Sequence, residues 1–221
     1  MRVLSVDLGW RHLAAVQMDV TASDFTIYQW KIIDLMSGDV NINKASLEDL
    51  VNNSAPSIQT TILDWCKWPN SDLKPEIAYL ELQPLGQMAR NVKTKTLSHI
   101  FQTLLLAHGI PVQFVSPKKK LAGADLNSYA GNKKFAVDST EKILEGEWQE
   151  WFRSCKGKRD DLADAFLQGY YTAKQSFVQK PKRESKAKQP RAKRACFTKA
   201  QESACLDIDS VESEEDVEIA E

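Results

Sequence analysis

Three early stretches place apolar residues with a period of two, the spacing of strands that lie against a core. In residues 2–8, Val3, Ser5 and Asp7 share one face and Leu4, Val6 and Leu8 the other. Residues 12–20 and 24–35 continue the pattern with aromatic and β-branched side chains, joined by a turn at 21–23. Such short connections make the three strands an antiparallel meander. Residues 46–51 and 57–67 read as two helices broken near 53–56, because Pro56 lacks an N–H and crowds the preceding turn. Residues 76–83 form a strand apolar on both faces, as in the middle of a covered sheet. There Ile77, Tyr79, Glu81 and Gln83 share one face and Ala78, Leu80 and Leu82 the other. Residues 84–91 read as a loop. A helix over 93–108 carries a broad apolar face of Leu97, Ile100, Phe101, Leu104 and Leu105, and Gly109 ends it. Residues 111–115 give a fifth strand, 116–132 are loop-like and basic, and 133–144, 147–152 and 160–177 are helical. That order predicts a mixed five-stranded sheet with helices on both faces.

Charge changes the picture beyond residue 178. The chain has 221 residues and a formal net charge of -1, which hides two opposed blocks. Residues 180–194 form a basic block of eight lysines and arginines, and 202–221 an acidic block of nine carboxylates with no base. The stretch also lacks aromatic and apolar periodicity, so 179–221 is expected to be a disordered tail behind a domain at 1–178. Cys66, Cys155, Cys196 and Cys205 form no C-x-x-C pair, and His12, His99 and His108 lie apart from them. Zinc and a disulfide framework are therefore not expected, and a reducing, intracellular compartment is. Asp7 interrupts the first apolar run too early for a secretion signal. The uncharged window 96–117 is broken by His99, His108, Gly109 and Pro111, so it reads as a buried helix and strand rather than a membrane span.

Acidic residues carry the candidate chemistry. Asp160, Asp161 and Asp164 crowd the start of the last helix, where residues three or four apart are neighbours. Acids in a first helical turn favour the dipole, but like charges this close oppose one another's ionisation. Glu81 is conspicuous in a strand apolar on both faces. Asp7 ends the first strand, where an acid before glycine also suits a turn. If the first and fourth strands pair centrally, Asp7 and Glu81 come side by side, and the last helix adds Asp164 with Asp160 or Asp161. Converging carboxylates call for cations, and an all-oxygen set suits hard Mg²⁺, or Mn²⁺ in its place. Two such ions flank a scissile phosphate, one activating water and the other steadying the leaving oxygen.

Val3-Leu-Ser-Val-Asp-Leu-Gly9, Ala78-Tyr-Leu-Glu-Leu-Gln83 and Asp161-Leu-Ala-Asp-Ala165 resemble the RuvC-like Holliday junction resolvases of the ribonuclease H-like superfamily, in particular the branch of poxviruses and related large DNA viruses. The resemblance runs over residues 1–178. It implies a ribonuclease H-like fold, Asp7, Glu81, Asp161 and Asp164 as metal ligands, and paired nicking of four-way DNA junctions. It also implies a homodimer, through the 93–108 helix. The family pattern Asp-x-x-Asp-Ala selects Asp161 over Asp160, and a helical wheel agrees: Asp161 borders the small sector of Ala165, Gly169 and Thr172. Asp160 is left as an accessory. The helix that carries them is expected to be the movable, last-placed part of the site. Bacterial members have an aromatic residue after the strand glutamate that helps to open the junction; Pro84 and Leu85 stand there in this chain.

A polyanionic substrate needs cations beside such a centre. Lys118, Lys119, Lys120, Lys133 and Lys134 bracket one loop, Lys156, Lys158 and Arg159 lead into the acidic helix, and Arg90, Lys93 and Lys95 surround the start of the central helix. Trp148 and Trp151 suit helix packing better than stacking on bases. The basic block suits non-specific DNA binding or nuclear import, so the nucleus or a viral replication compartment is the expected location. The acidic block suits a basic partner. Alternatives are an actin-like nucleotide-binding domain, which lacks its second Asp-x-Gly loop here, a non-catalytic junction binder, and a related nuclease with another branched-DNA or RNA–DNA substrate.

Overall fold

A computed structural model of the chain describes residues 1–36, 38–69, 73–83, 89–117 and 129–178, with backbone alone at 89–91 and 129. The chain divides into two units, Met1–Lys180 and Pro181–Glu221. Both charge blocks and Lys118, Lys119 and Lys120 fall outside the described residues, as does the side chain of Arg90.

Strands β1 (Arg2–Asp7), β2 (Leu13–Val20) and β3 (Phe25–Ile33) come first. Helix α1 (Leu47–Trp65), strand β4 (Ile77–Glu81), helix α2 (Ala89–Ala107) and strand β5 (Val112–Val115) follow, and α3 (Tyr129–Ile143), α4 (Gly146–Ser154) and α5 (Arg159–Phe177) end the domain. The sheet order is β3-β2-β1-β4-β5. The first three strands are antiparallel neighbours, and β4 and β5 join parallel to β1. This is the expected mixed sheet. After β3 the chain crosses β1 to its other side, so a switch in strand order falls between β1 and β4. In open α/β sheets the crevice at such a switch, beyond the carboxyl ends of the strands, is where ligands bind.

Side chains alternate between two cores. Val3, Val16, Met18, Trp30 and Tyr79 pack with Leu162, Phe166 and Phe152 of α5 and α4. Leu4, Val6, Leu13, Ala78 and Leu80 pack with Leu50, Ile62 and Trp65 of α1 and Leu97, Phe101 and Leu105 of α2. Trp148 and Trp151 join the first core, with ring centroids 6.3 Å and 5.2 Å from Trp30, so they serve packing.

Two expectations need correction. Helix α1 runs unbroken through Pro56. A mid-helix proline costs about 3 kcal/mol, but each buried large apolar side chain returns roughly 1.5–3 kcal/mol, and Leu50, Ile58, Ile62 and Trp65 all face the core. A capping box at Ser46 and Asp49 secures the helix start. Strand β4 stops at Glu81, with Leu82 44% exposed. Glu81 is therefore half-buried at a strand end rather than enclosed in a doubly covered strand, which lowers its desolvation cost. Helix α5 is seated closely on the sheet. A Cβ on Gly169 would lie 2.3 Å from Met18 Cε and 2.7 Å from Ser5 Cβ, so the helix backbone rests directly on β1 and β2.

Candidate metal centre and nucleic-acid interface

Strand alternation decides which way the first two acids point. Ser5 pairs with Tyr79 across β1 and β4, and two residues further on each strand, on that same face, come Asp7 and Glu81. Helix α5 covers this face and presents Asp161 and Asp164 from its first two turns. All four carboxylates line one cavity of about 410 Å³, together with Leu8, Gln83, Thr94, Pro117, Asn132 and Lys133. Asp160 is absent from that lining. It points instead to a neighbouring groove of about 530 Å³ with Lys133, Lys134, Lys156, Lys158 and Arg159.

Their surroundings separate the two adjacent aspartates. Burial pushes the Asp161 carboxyl above the usual carboxylate range, and the Asp160 charge adds to this; Lys158, Lys133 and His12 offset only part. For Asp160 burial acts in the same direction but is outweighed by a hydrogen bond and charge from Lys133, its own backbone N–H and Lys158, so its carboxyl lies below the usual range. Asp160 is thus a satisfied ion-pair partner of Lys133, whereas Asp161 carries an electrostatic deficit. A cation in the cavity relieves such a deficit.

The donor chemistry fits a hard divalent ion: four carboxylates, with the Asn132 amide beside them. Asn132 Oδ1 is buried, with no hydrogen-bond partner among the described residues. Among the described residues, however, no three His, Cys, Asp or Glu side chains converge closely enough to hold an ion. The acids ring the cavity without closing on a point. Mutual repulsion favours that spread, and a cation is what draws such groups together.

The cations assigned from sequence divide into two groups. Lys134 and Lys158 are exposed on the groove beside the acids, and Lys133 stands between groove and cavity. Lys158 also has a left-handed backbone, with φ of 54°, where it starts α5. Two others are occupied inside the protein. Lys93 Nζ donates to the carbonyls of Ile42, Asn43 and Ala45 at 2.8, 3.3 and 2.7 Å, which accounts for all three of its donors. Arg159 pairs with Glu141 at 2.9 Å and stands 5.7 Å over the Phe152 ring. Arg159 also lines the groove beside the acids.

Sequence reasoning missed Asn132, which sits beside a noted lysine but had no pattern to mark it. It also missed Gln168, although an amide one turn after Asp164 in a small, buried helix sector was a legible signal.

No protein-family model matches the sequence, and no curated protein matches it. Solved structures share the fold. T. thermophilus RuvC in complex with Holliday junction substrate superposes with a TM-score of 0.54 at 13% identity, covering 80% of this chain and 94% of that one. The Fowlpox virus resolvase with its substrate Holliday junction DNA gives 0.54 at 15% identity, covering 81% and 100%. The Fowlpox virus Holliday junction resolvase in another crystal structure gives 0.51 at 14%, covering 76% and 94%. The fold of this chain is thus that of the RuvC-like resolvases, the ribonuclease H-like mixed sheet.

Proposed function

We propose that this chain is a divalent-cation-dependent endonuclease that resolves four-way DNA junctions by paired, symmetric nicks. The observation that carries the reading is the meeting of Asp7, Glu81, Asp161 and Asp164, from three separate elements, in one cavity beside a lysine-lined groove on the fold of the solved resolvases.

In this reading the four carboxylates hold two Mg²⁺ ions, or Mn²⁺ in their place. When bound, the ions supply an activated water and charge for the leaving oxygen. The chain's own residues do the rest. Lys134, Lys156 and Lys158 take the phosphate backbone along the groove, giving affinity without sequence preference. Lys133, within reach of both groove and cavity, exchanges Asp160 for a phosphate oxygen as DNA enters. Helix α5 fixes where Asp161 and Asp164 stand relative to the strands. Two copies related by a two-fold axis place two such centres on opposite arms, and α2 is the proposed interface: Val92 and Leu106 are exposed on it. Among the described residues no helix is long and apolar enough to cross a membrane.

The test offers the purified protein equal amounts of four-way junction, linear duplex and RNA–DNA hybrid in Mg²⁺. Preferred cleavage of the junction is expected. Asp161→Asn and Glu81→Gln are expected to lower the rate by about 10²- to 10³-fold, in line with losing a group that organises transition-state charge. Junction affinity should stay within about threefold, since the groove lysines are untouched. Preference for the hybrid or duplex, or cleavage unchanged by both substitutions, overturns the reading.

A further inference from the structure

The interior between α5 and the sheet is mostly apolar, with Ser5, Thr172 and Gln168 as buried polar residues among those described. Gln168 is 1% exposed, and its Nε2 lies 3.2 Å from Ser5 Oγ, 3.1 Å from the Val6 carbonyl and 3.1 Å from the Tyr79 carbonyl. Carbonyls only accept, so the two of them fix the amide with its NH₂ toward the strands. Val6 immediately precedes Asp7, and Tyr79 stands two residues before Glu81. On the helix, Gln168 lies one turn beyond Asp164 and two turns beyond Asp161, on the same face. One side chain therefore touches both strands that carry site acids and belongs to the helix that carries the other two.

Folding alone gives little reason for an amide here. Its Oε1 is buried with no partner among the described residues, a cost of roughly 1–3 kcal/mol that an apolar side chain of the same volume avoids. Apolar packing tolerates small slides and rotations, whereas hydrogen bonds to two strands do not. Gly169, seated against Ser5 and Met18, sets how near the helix comes, and Gln168 sets where along the strands it stops.

We propose that Gln168 is a positioning residue that holds the Asp161–Asp164 pair at a fixed offset from Asp7 and Glu81, and so sets the affinity of the centre for divalent ions. This rests on the reading of the site as a metal-dependent nuclease centre. Groups that orient metal ligands from behind commonly change metal affinity or activity by 10- to 100-fold when removed.

The experiment compares the unsubstituted chain with Gln168→Met, which keeps length and volume but has no donor. Three quantities are read: the Mg²⁺ concentration for half-maximal thermal stabilisation without DNA, the same concentration for junction cleavage, and junction affinity in EDTA. For Gln168→Met, both half-saturating concentrations are expected to rise by about tenfold or more, with affinity in EDTA within twofold. A merely structural role would lower the melting temperature and leave the Mg²⁺ response where it was; that result, or an unchanged variant, overturns the proposal. If Gln168→Met does not fold, Gln168→Asn carries the same test, because its shorter amide falls short of the strand carbonyls. An unsubstituted chain that neither cleaves junctions nor responds to Mg²⁺ overturns the nuclease reading and the role of Gln168 with it. Normal behaviour of that chain beside a matching variant overturns the role of Gln168 alone.

Discussion

On one face of the sheet, α5 lies so close to β1 and β2 that a single added methyl at Gly169 would meet Met18 and Ser5. On the other face, α1 and α2 leave an apolar groove of about 420 Å³ between Val51, Ile58, Leu63, Ile100 and Leu104. The close face also carries the polar anchor at Gln168 and borders all four acids. The open face buries its share of core, including Trp65 and Phe101, but leaves Leu63 49% exposed. Contact on the first face places atoms, and contact on the second only excludes water. A centre that depends on the relative position of two strands and a helix belongs on the first.

Substitutions can break this comparison. Gly169→Ala should do most, because its Cβ has no room and the helix must shift. Overpacking of this kind costs about 1–3 kcal/mol, which lowers the melting temperature of a domain this size by about 2–12 °C; calorimetry in EDTA reads it. Asp161→Asn should act in the opposite direction. The Asp161 carboxyl is held above its ordinary range by burial first and by Asp160 second. A raised folded value means that the penalty on folding is full above that value, shrinks as pH falls below it and vanishes only under the ordinary carboxylate value. Removing the charge is then expected to raise the melting temperature by about 1–2 °C at pH 8 without divalent ions, an effect kept small by partial solvent exposure. The gain should fade as pH falls through the carboxylate range.

Smaller effects sharpen the contrast. Lys158→Gly removes a left-handed lysine at the start of α5 and is expected to stabilise by about 0.5–1 kcal/mol while weakening junction affinity in low salt. Leu63→Ser, on the open face, should change the stability of the monomer by no more than about 0.5 kcal/mol, measured by urea unfolding. A loss above 2 kcal/mol there would mean that the open face is as tightly specified as the closed one.

Much of this organisation was legible in the sequence because it follows from periodicity. Alternation in β1 put Ser5 and Asp7 on one side and Leu4 and Val6 on the other, as they stand in the two cores. Periodicity left Asp160 and Asp161 both open; the resemblance to the family pattern Asp-x-x-Asp-Ala selected Asp161, the small sector of Ala165, Gly169 and Thr172 agreed, and of the two only Asp161 lines the cavity. Pro56 misled because local propensity was outweighed by burial of the turns around it. The partners of Lys93 and Arg159 were not legible: they are loop carbonyls some 50 residues earlier and Glu141 on another helix, and no spacing along the chain announces such pairs. Gln168 escaped notice because its contacts cross from the last helix to the first strand.

That last separation has a consequence in time. Ser5 and Gln168 are 163 residues apart, and Asp7 waits nearly as long for Asp161 and Asp164. At a synthesis rate of about 5–20 residues per second, the interval on the ribosome is on the order of 10–30 s. Until α5 has emerged and docked, the growing chain holds its first acid without the last two. The long-range closure that completes the domain also makes this a slow-forming topology, and the four-carboxylate cavity is assembled only once the domain is whole.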